Sequence, residues 1–200
     1  MPVEIFYDVL CPWCYVGKRR LDEALARRPA KLRWRAFNLI PGARREPAGT
    51  VPEAMAAYLA PEQVPGRIAV IHATGAELGL DIDLPGTRQV TSFDAHRLLK
   101  LAADHGRMDA VMDAMYRAHF TEHRVISDPA VLAELGADTG LDRAEVARVL
   151  NSMEYTDEVL ADFHRAAEAG VRMVPSIIAG SGGPQPLLRP VEVLAGAAKN

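Results

Sequence analysis

Apolar and polar positions follow three rhythms along the chain, and each change of rhythm marks out a part of it. Pro2 to Asp8 is short, apolar and rich in β-forming residues (Val3, Ile5, Phe6, Tyr7), which predicts a buried strand. A turn is expected at Val9-Leu10. Beyond it Val16, Leu21, Ala24 and Leu25 recur at helical spacing, and Pro12 suits the first helical position because its missing N–H and fixed φ fit a helix start. Cys11 then falls at the N-cap or just before it. This helix should run to about Arg28 and stop before Pro29. From Lys31 to Asn38 Leu32, Trp34 and Ala36 are set against Arg33, Arg35 and Phe37, the alternation of a second strand. Residues 1–40 therefore read β-α-β.

After the loop signals Pro41-Gly42 and Pro47-Ala48-Gly49 the period becomes helical. Segments are expected over about 51–60, 61–79, 92–105, 107–123, 128–139, 142–151 and 154–169. Gly79, Gly106 and Gly140 stand where helix ends are expected, and Ser127-Asp128-Pro129 reads as a helix start. The β pattern returns at Val171 to Ala179, interrupted by Pro175. A turn at Gly180 to Pro184, a short strand Gln185 to Leu188 and a closing helix Pro190 to Ala198 complete the chain. The whole is an α/β chain, β-α-β followed much later by β-β-α, with a large all-helical insertion. Residues 1–40 and 171–200 form one discontinuous domain, and residues 41–170 the inserted helical domain.

The 200 residues can bury a substantial core, and 49% hydrophobic with 24% charged residues is the composition of an ordinary globule. A formal charge of −3 gives no reason to expect nucleic acid or an anionic membrane as partner. Lys18-Arg19-Arg20, with Arg27-Arg28 further along, reads as a solvated helix face rather than a phosphate-binding patch. Met1-Pro2-Val3-Glu4 has no basic region and no small-residue cleavage site, and no stretch reaches the roughly 18 apolar residues of a membrane helix. A cytoplasmic location is the expectation.

The chain has 2 cysteines, Cys11 and Cys14. Closing a longer loop removes more unfolded-state entropy, so a structural disulfide across so short a loop is a poor reading. In a reducing compartment such a pair is redox-active or metal-binding. A four-ligand zinc site would need two further residues, and there is no second cysteine pair; no metal is expected. Exchange with a disulfide requires a thiolate, and a helix N-terminus, with its unpaired N–H groups and positive dipole end, favours that anion. Cys11 is thus the candidate nucleophile. Cys14, one turn deeper and within bridging distance, is the candidate resolving thiol.

The block Asp8-Val9-Leu10-Cys11-Pro12-Trp13-Cys14-Tyr15-Val16-Gly17-Lys18-Arg19 resembles the opening of DsbA-like thioredoxin-fold oxidoreductases, and within them the FrnE-like cytoplasmic branch. Ala95-His96-Arg97-Leu98, Ala118-His119-Phe120, Gly170-Val171-Arg172-Met173-Val174-Pro175 and Ser181-Gly182-Gly183-Pro184-Gln185-Pro186 are similar at the same relative places. The resemblance implies a thioredoxin-like fold and a thiol–disulfide oxidoreductase acting on protein or low-molecular-weight thiols. It implies no bound cofactor, with glutathione or another small thiol as candidate co-substrate, and a homodimer as candidate assembly. It further implies a cis Pro175, preceded by Val174, whose backbone lies beside the cysteines and pairs with bound peptide or thiol. From the residues alone, a trans edge-strand proline fits Pro175 as well. Pro12, Trp13, Val174 and His96 are the candidate substrate-binding residues, although a packed structural histidine is the commoner reading of His96. Neutral Trp13 adds no charge to stabilise a thiolate, which predicts a potential below the about −120 mV of DsbA.

Two further features carry chemistry. Asp8 could relay a proton during exchange or simply form the turn that closes the first strand. His119-Phe120-Thr121-Glu122-His123 fits a zinc-peptidase pattern, but it falls at a helix tail with no third ligand, so metal catalysis is not expected. The rival function is a glutathione-dependent isomerase or transferase, because 2-hydroxychromene-2-carboxylate isomerases and kappa-class glutathione transferases share this architecture. Those relatives typically carry Ser in place of the first Cys, and both cysteines are present here.

Overall fold

The computed structural model describes residues 3–27 and 29–187. The closing helix expected over Pro190 to Ala198 lies outside the described residues, as do Pro2, Arg28 and Leu188. Strand β1 (Val3–Tyr7) is buried along its whole length. It pairs in parallel with β2 (Leu32–Ala36), Val3 opposite Leu32 and Tyr7 opposite Ala36. A parallel pair needs a crossover, and helix α1 (Pro12–Arg27) supplies it. On its other edge β1 pairs antiparallel with β3 (Ser176–Ile178), and β3 with β4 (Gln185–Pro186), so the sheet order is β2-β1-β3-β4. The strand expected over 171–179 forms only after Pro175, which has no N–H to give to a ladder.

Between β2 and β3 the chain is helical: α2 (Val51–Met55), a 3₁₀ turn (Pro61–Gln63), α3 (Val64–Ala76), α4 (Phe93–Asp104), α5 (Met108–Phe120), α6 (Pro129–Asp138), α7 (Arg143–Leu150) and α8 (Thr156–Glu168). Helix α2 is shorter than the periodicity predicts. A capping box starts it, Thr50 and Glu53 each satisfying the other's backbone N–H, but Ala60 is held extended (ψ 137°) because it precedes Pro61. Asp128 caps α6 by accepting from the Ala130 N–H at 2.8 Å. Gly79 and Gly106 leave their helices at φ of +72° and +65°, a conformation that costs glycine little.

Both faces of the sheet are covered. On one, Val3, Ile5 and Ile177 pack against Leu21 and Ala24 of α1. On the other lies α8, so Arg35, set on the polar side of β2, is not solvated. It bonds Glu4 at 2.7 Å and Asp162 at 2.9 Å, and Arg165 of α8 reaches the same Glu4 at 2.7 Å. The two guanidiniums outweigh the upward push of burial and hold the Glu4 carboxyl below its ordinary range. The expectation of a solvated basic face on α1 also needs correction at Lys18. Its side chain is 2% exposed and lies between Asp22 at 2.8 Å and Asp113 of α5 at 3.0 Å, because α5 packs on that side of α1. One cluster of buried residues runs from Phe6, Tyr7, Cys14 and Val174 through Leu98 and Leu101 of α4 and Met112 and Tyr116 of α5 to Leu132 and Val146.

Candidate active site

Strand β1 ends at Tyr7, and Asp8 shapes the turn that follows. Its Oδ1 accepts from the Leu10 N–H at 3.0 Å and its carbonyl from the Cys11 N–H at 3.1 Å, which delivers Cys11 to the mouth of α1. The helix begins at Pro12, and the Cys11 carbonyl accepts the N–H of Cys14 at 2.9 Å and of Tyr15 at 3.3 Å. Both cysteines are free thiols, Cys11 5% and Cys14 2% exposed.

The Val174–Pro175 peptide is cis, as the resemblance implies, and the Cys11 Sγ donates to the Val174 carbonyl at 3.4 Å. Residues 163 positions apart thus meet at one sulfur. Gly17, one turn into α1, permits the approach. A Cβ there would stand 3.0 Å from Pro175 Cγ and 3.4 Å from its Cβ. The Pro175 carbonyl accepts from the Leu187 N–H at 3.0 Å, and the Ser176 hydroxyl closes the turn on the Met173 carbonyl at 2.6 Å. Met173 stands 62% exposed at the edge of this loop, and Trp13 is half-buried on the helix start.

Beneath the turn the groups are polar and buried. Asp8 is fully buried, and its Oδ2 accepts from the Leu39 N–H at 2.8 Å and the Ser92 hydroxyl at 3.1 Å. The Tyr116 hydroxyl donates to the Asp8 carbonyl at 3.4 Å. Burial, and then the hydrogen bond and charge of Cys11, push the Cys14 thiol well above its ordinary value. Burial does the same to the Tyr116 phenol. His96 is placed behind this turn, not on an open surface. It is 1% exposed, with its Nε2 3.6 Å from Asp8 Oδ1 and its ring edge-on to Tyr7 at 5.3 Å and Phe163 at 6.2 Å.

The zinc-peptidase pattern does not assemble. His119 is buried in the core, which pushes its imidazole down to about 4. Glu122 pairs with Arg117 at 3.0 Å and His123 with Asp83 at 3.0 Å. Among the described residues no group of three or more His, Cys, Asp or Glu side chains is placed to hold a metal ion. No helix among them is long and apolar enough to cross a membrane.

Sequence reasoning passed over Gly17, Ser92 and Tyr116. Only Gly17 carried a signal, since a glycine inside a helix gives up about 1 kcal/mol against alanine and often marks a close approach.

Comparison with known proteins agrees with this geometry. The DSBA-like thioredoxin domain family matches residues 2–198. The crystal structure of the probable DsbA oxidoreductase SCO1869 from Streptomyces coelicolor is 36% identical, with a TM-score of 0.89 covering 100% of this chain and 91% of that one. The uncharacterized protein YwbO of Bacillus subtilis (strain 168) is 25% identical over 184 residues, 89% of this chain and 86% of its own. A 2-hydroxychromene-2-carboxylate isomerase structure shares the fold at 17% identity and a TM-score of 0.77, covering 100% of this chain and 95% of that one. From cysteine turn to apposed proline loop, and over nearly its full length, the chain belongs to the DsbA-like thioredoxin domain family.

Proposed function

We propose that the protein is a dithiol–disulfide oxidoreductase, with Cys11 as nucleophile and Cys14 as resolving thiol, working in a reducing compartment such as the cytoplasm. The observation that carries this reading is the meeting of Cys11, at a helix N-terminus, with the Val174 carbonyl at 3.4 Å while Cys14 lies buried one turn deeper. In the reducing direction the Cys11 thiolate attacks one sulfur of a substrate disulfide. The second substrate sulfur leaves as thiolate, and a mixed disulfide remains on Cys11. Cys14 then gives up its proton and attacks Cys11 Sγ, which expels the first substrate sulfur and closes Cys11–Cys14. Two electrons have passed to the substrate; run backwards, the same steps oxidise a dithiol. A Cys14 thiol held protonated by burial stays out of the first exchange, which is the division of labour the scheme needs.

Pro12, Trp13, Val174 and Pro175 would line the approach of the substrate. The Val174 carbonyl is the group that pairs with incoming backbone once the Cys11 proton has gone. His96 stands behind the turn, packed edge-on against Tyr7 and Phe163, and is not placed to touch a substrate.

Rates of disulfide reduction test the scheme. Cys11→Ser should lower exchange to background, and Cys14→Ser should accumulate a mixed disulfide that mass spectrometry detects. Wild-type exchange in both variants would sink the reading. Full retention of a glutathione-linked isomerisation by Cys11→Ser would favour the isomerase or transferase alternative.

A further inference from the structure

The exchange steps leave the Asp8 carboxylate unused, although it is fully buried beneath the redox turn. Its three hydrogen-bond partners all donate: the Leu10 N–H at 3.0 Å, the Leu39 N–H at 2.8 Å and the Ser92 hydroxyl at 3.1 Å. A carboxylic acid would need an acceptor for its own proton, whereas an ionised carboxylate accepts all three bonds. His96 Nε2 of α4 stands at 3.6 Å, outside hydrogen-bond reach, and among the described residues no lysine or arginine pairs with Asp8. The charge is held by dipoles and has no countercharge beside it. Its field reaches the titratable groups packed around the turn. It adds to the upward push of burial on the Tyr7 phenol of β1, the Cys14 thiol of α1 and the Tyr116 phenol of α5. It also opposes the downward push of burial on His119 of α5. Towards Cys14 the residue acts in two senses, its backbone N–H easing the thiolate and its carboxylate opposing it.

We propose that the buried Asp8 carboxylate poises the cysteine pair to give electrons up, so that the protein works as a reductant of disulfides. The proposal rests on the oxidoreductase reading and deepens it by naming the direction of electron flow. A thiolate on either cysteine adds negative charge to an interior that already holds one, whereas the Cys11–Cys14 disulfide adds none. Oxidation removes that repulsion. From the dithiol with one sulfur ionised, exchange with an external disulfide closes the Cys11–Cys14 bond and passes two electrons outwards. One external sulfur leaves as thiolate and the other as thiol, carrying the remaining cysteine proton. The negative charge departs with the products, and the equilibrium is weighted towards the bridged form. Asp8 is here a positioning residue, since it acts on the sulfurs through its field and touches no substrate.

The equilibrium constant for oxidation of the whole chain by glutathione disulfide, followed from about pH 6 to about pH 9.5 across the ordinary thiol value near 8.5, tests the assignment. Dividing the constant of each variant by that of wild type at the same pH cancels the ionisation of glutathione itself. For Asp8→Asn the ratio should fall to one-tenth or less at the alkaline end, about 30 mV in the oxidising direction. It should climb back towards one at the acid end, where less sulfur charge is left to oppose. Asp8→Ser, whose hydroxyl can still take the Leu10 N–H in the turn, is a second neutral variant and should behave alike. Ser92→Ala loosens the same network with the charge in place and should follow wild type throughout. A merely structural role would destabilise dithiol and disulfide forms together and leave every ratio at one. A ratio of one in the neutral variants, an offset that is flat with pH, or an equal shift in Ser92→Ala overturns the assignment. Exchange by wild type would keep the oxidoreductase reading standing in that event. A wild-type chain that forms no Cys11–Cys14 disulfide with glutathione at any pH sinks both.

Discussion

At Gly17 two local costs oppose each other. Alanine would gain about 1 kcal/mol of helix propensity, but its methyl would meet the Pro175 ring at 3.0 Å. That ring is braced from behind by the Leu187 N–H on the Pro175 carbonyl, so it has little room to give. Overpacking of this kind costs about 1–3 kcal/mol. Gly17→Ala should therefore lower stability by about 1 kcal/mol, read as a shift of the urea midpoint; an unchanged or raised midpoint would show that the Pro175 loop yields. His119 supports a second test at this scale. Its folded value of about 4 lies below the ordinary 6.5, so the unfolded chain takes up a proton that the folded one refuses. Stability should fall as pH drops through the window from 6.5 to 4, by about 3 kcal/mol at 1.36 kcal/mol per unit. His119→Gln should flatten that limb of a stability-against-pH curve, and an unaltered slope would assign the loss to other groups.

The cysteine turn was legible because its signals are local. Asp8, Pro12 and the three-residue cysteine spacing sit within one short block, and Pro175 announces itself by interrupting a strand. That Asp8 forms the turn was legible, and its Oδ1 does so through the Leu10 N–H at 3.0 Å; its distant bonds were not legible. Its partners Leu39, Ser92 and the Tyr116 that bonds its carbonyl lie 31, 84 and 108 residues away, beyond any periodicity. Lys18 was misread for a related reason, since nothing in α1 says that α5 will cover it.

At the scale of elements, ions tie the sheet to the helices that cover it. Asp162 of α8 accepts from Arg35 at 2.9 Å, from the Ala36 N–H at 2.9 Å and from Lys100 of α4, so one carboxylate joins β2, α4 and α8. Its side chain is 2% exposed. Removal would strand the buried Ala36 N–H, take the carboxylate from Lys100 and leave Arg35 with Glu4 alone, and breaking a buried pair on one side costs about 3 kcal/mol. Asp162→Ala should lose about that much in denaturant unfolding, and faster hydrogen exchange along β2 should locate the loss. A change under about 0.5 kcal/mol would mean that water replaces the carboxylate. The alternation in β2 gave its direction and extent, but not this second buried face. A polar face covered by ion pairs has the same residue pattern as one facing water.

The larger of two buried clusters among the described residues, from Phe6 and Cys14 to Leu132 and Val146, runs across the join between sheet and helical insertion; the smaller lies between the sheet and α1. A core continuous across that join should melt in one step. Both tryptophans, Trp13 and Trp34, lie on the sheet side, whereas most of the helix lies between residues 51 and 168. Fluorescence and far-ultraviolet circular dichroism should then give coincident unfolding curves. Two separated transitions would mean that insertion and sheet fold as independent units. The alkaline side has its own sign. The thiol of Cys14 and the phenols of Tyr7 and Tyr116 are raised well above 9.0 and 10.0, chiefly by burial, so the unfolded chain releases their protons first. Stability should decline as pH rises past those values.

Because Cys14 closes only a four-residue loop with Cys11, oxidation adds about 2 kcal/mol through chain entropy, less than a bridge across a long loop would. What remains is how well the folded interior accommodates a bridged sulfur against a buried thiol. Folding and reduction then form the sides of a thermodynamic cycle. Any difference in unfolding free energy between the dithiol and disulfide forms must reappear as a difference in potential from the unstructured peptide, at about 30 mV for each 1.4 kcal/mol. Two melting curves, one for each form, would report whether this interior is built to give electrons away or to hold them.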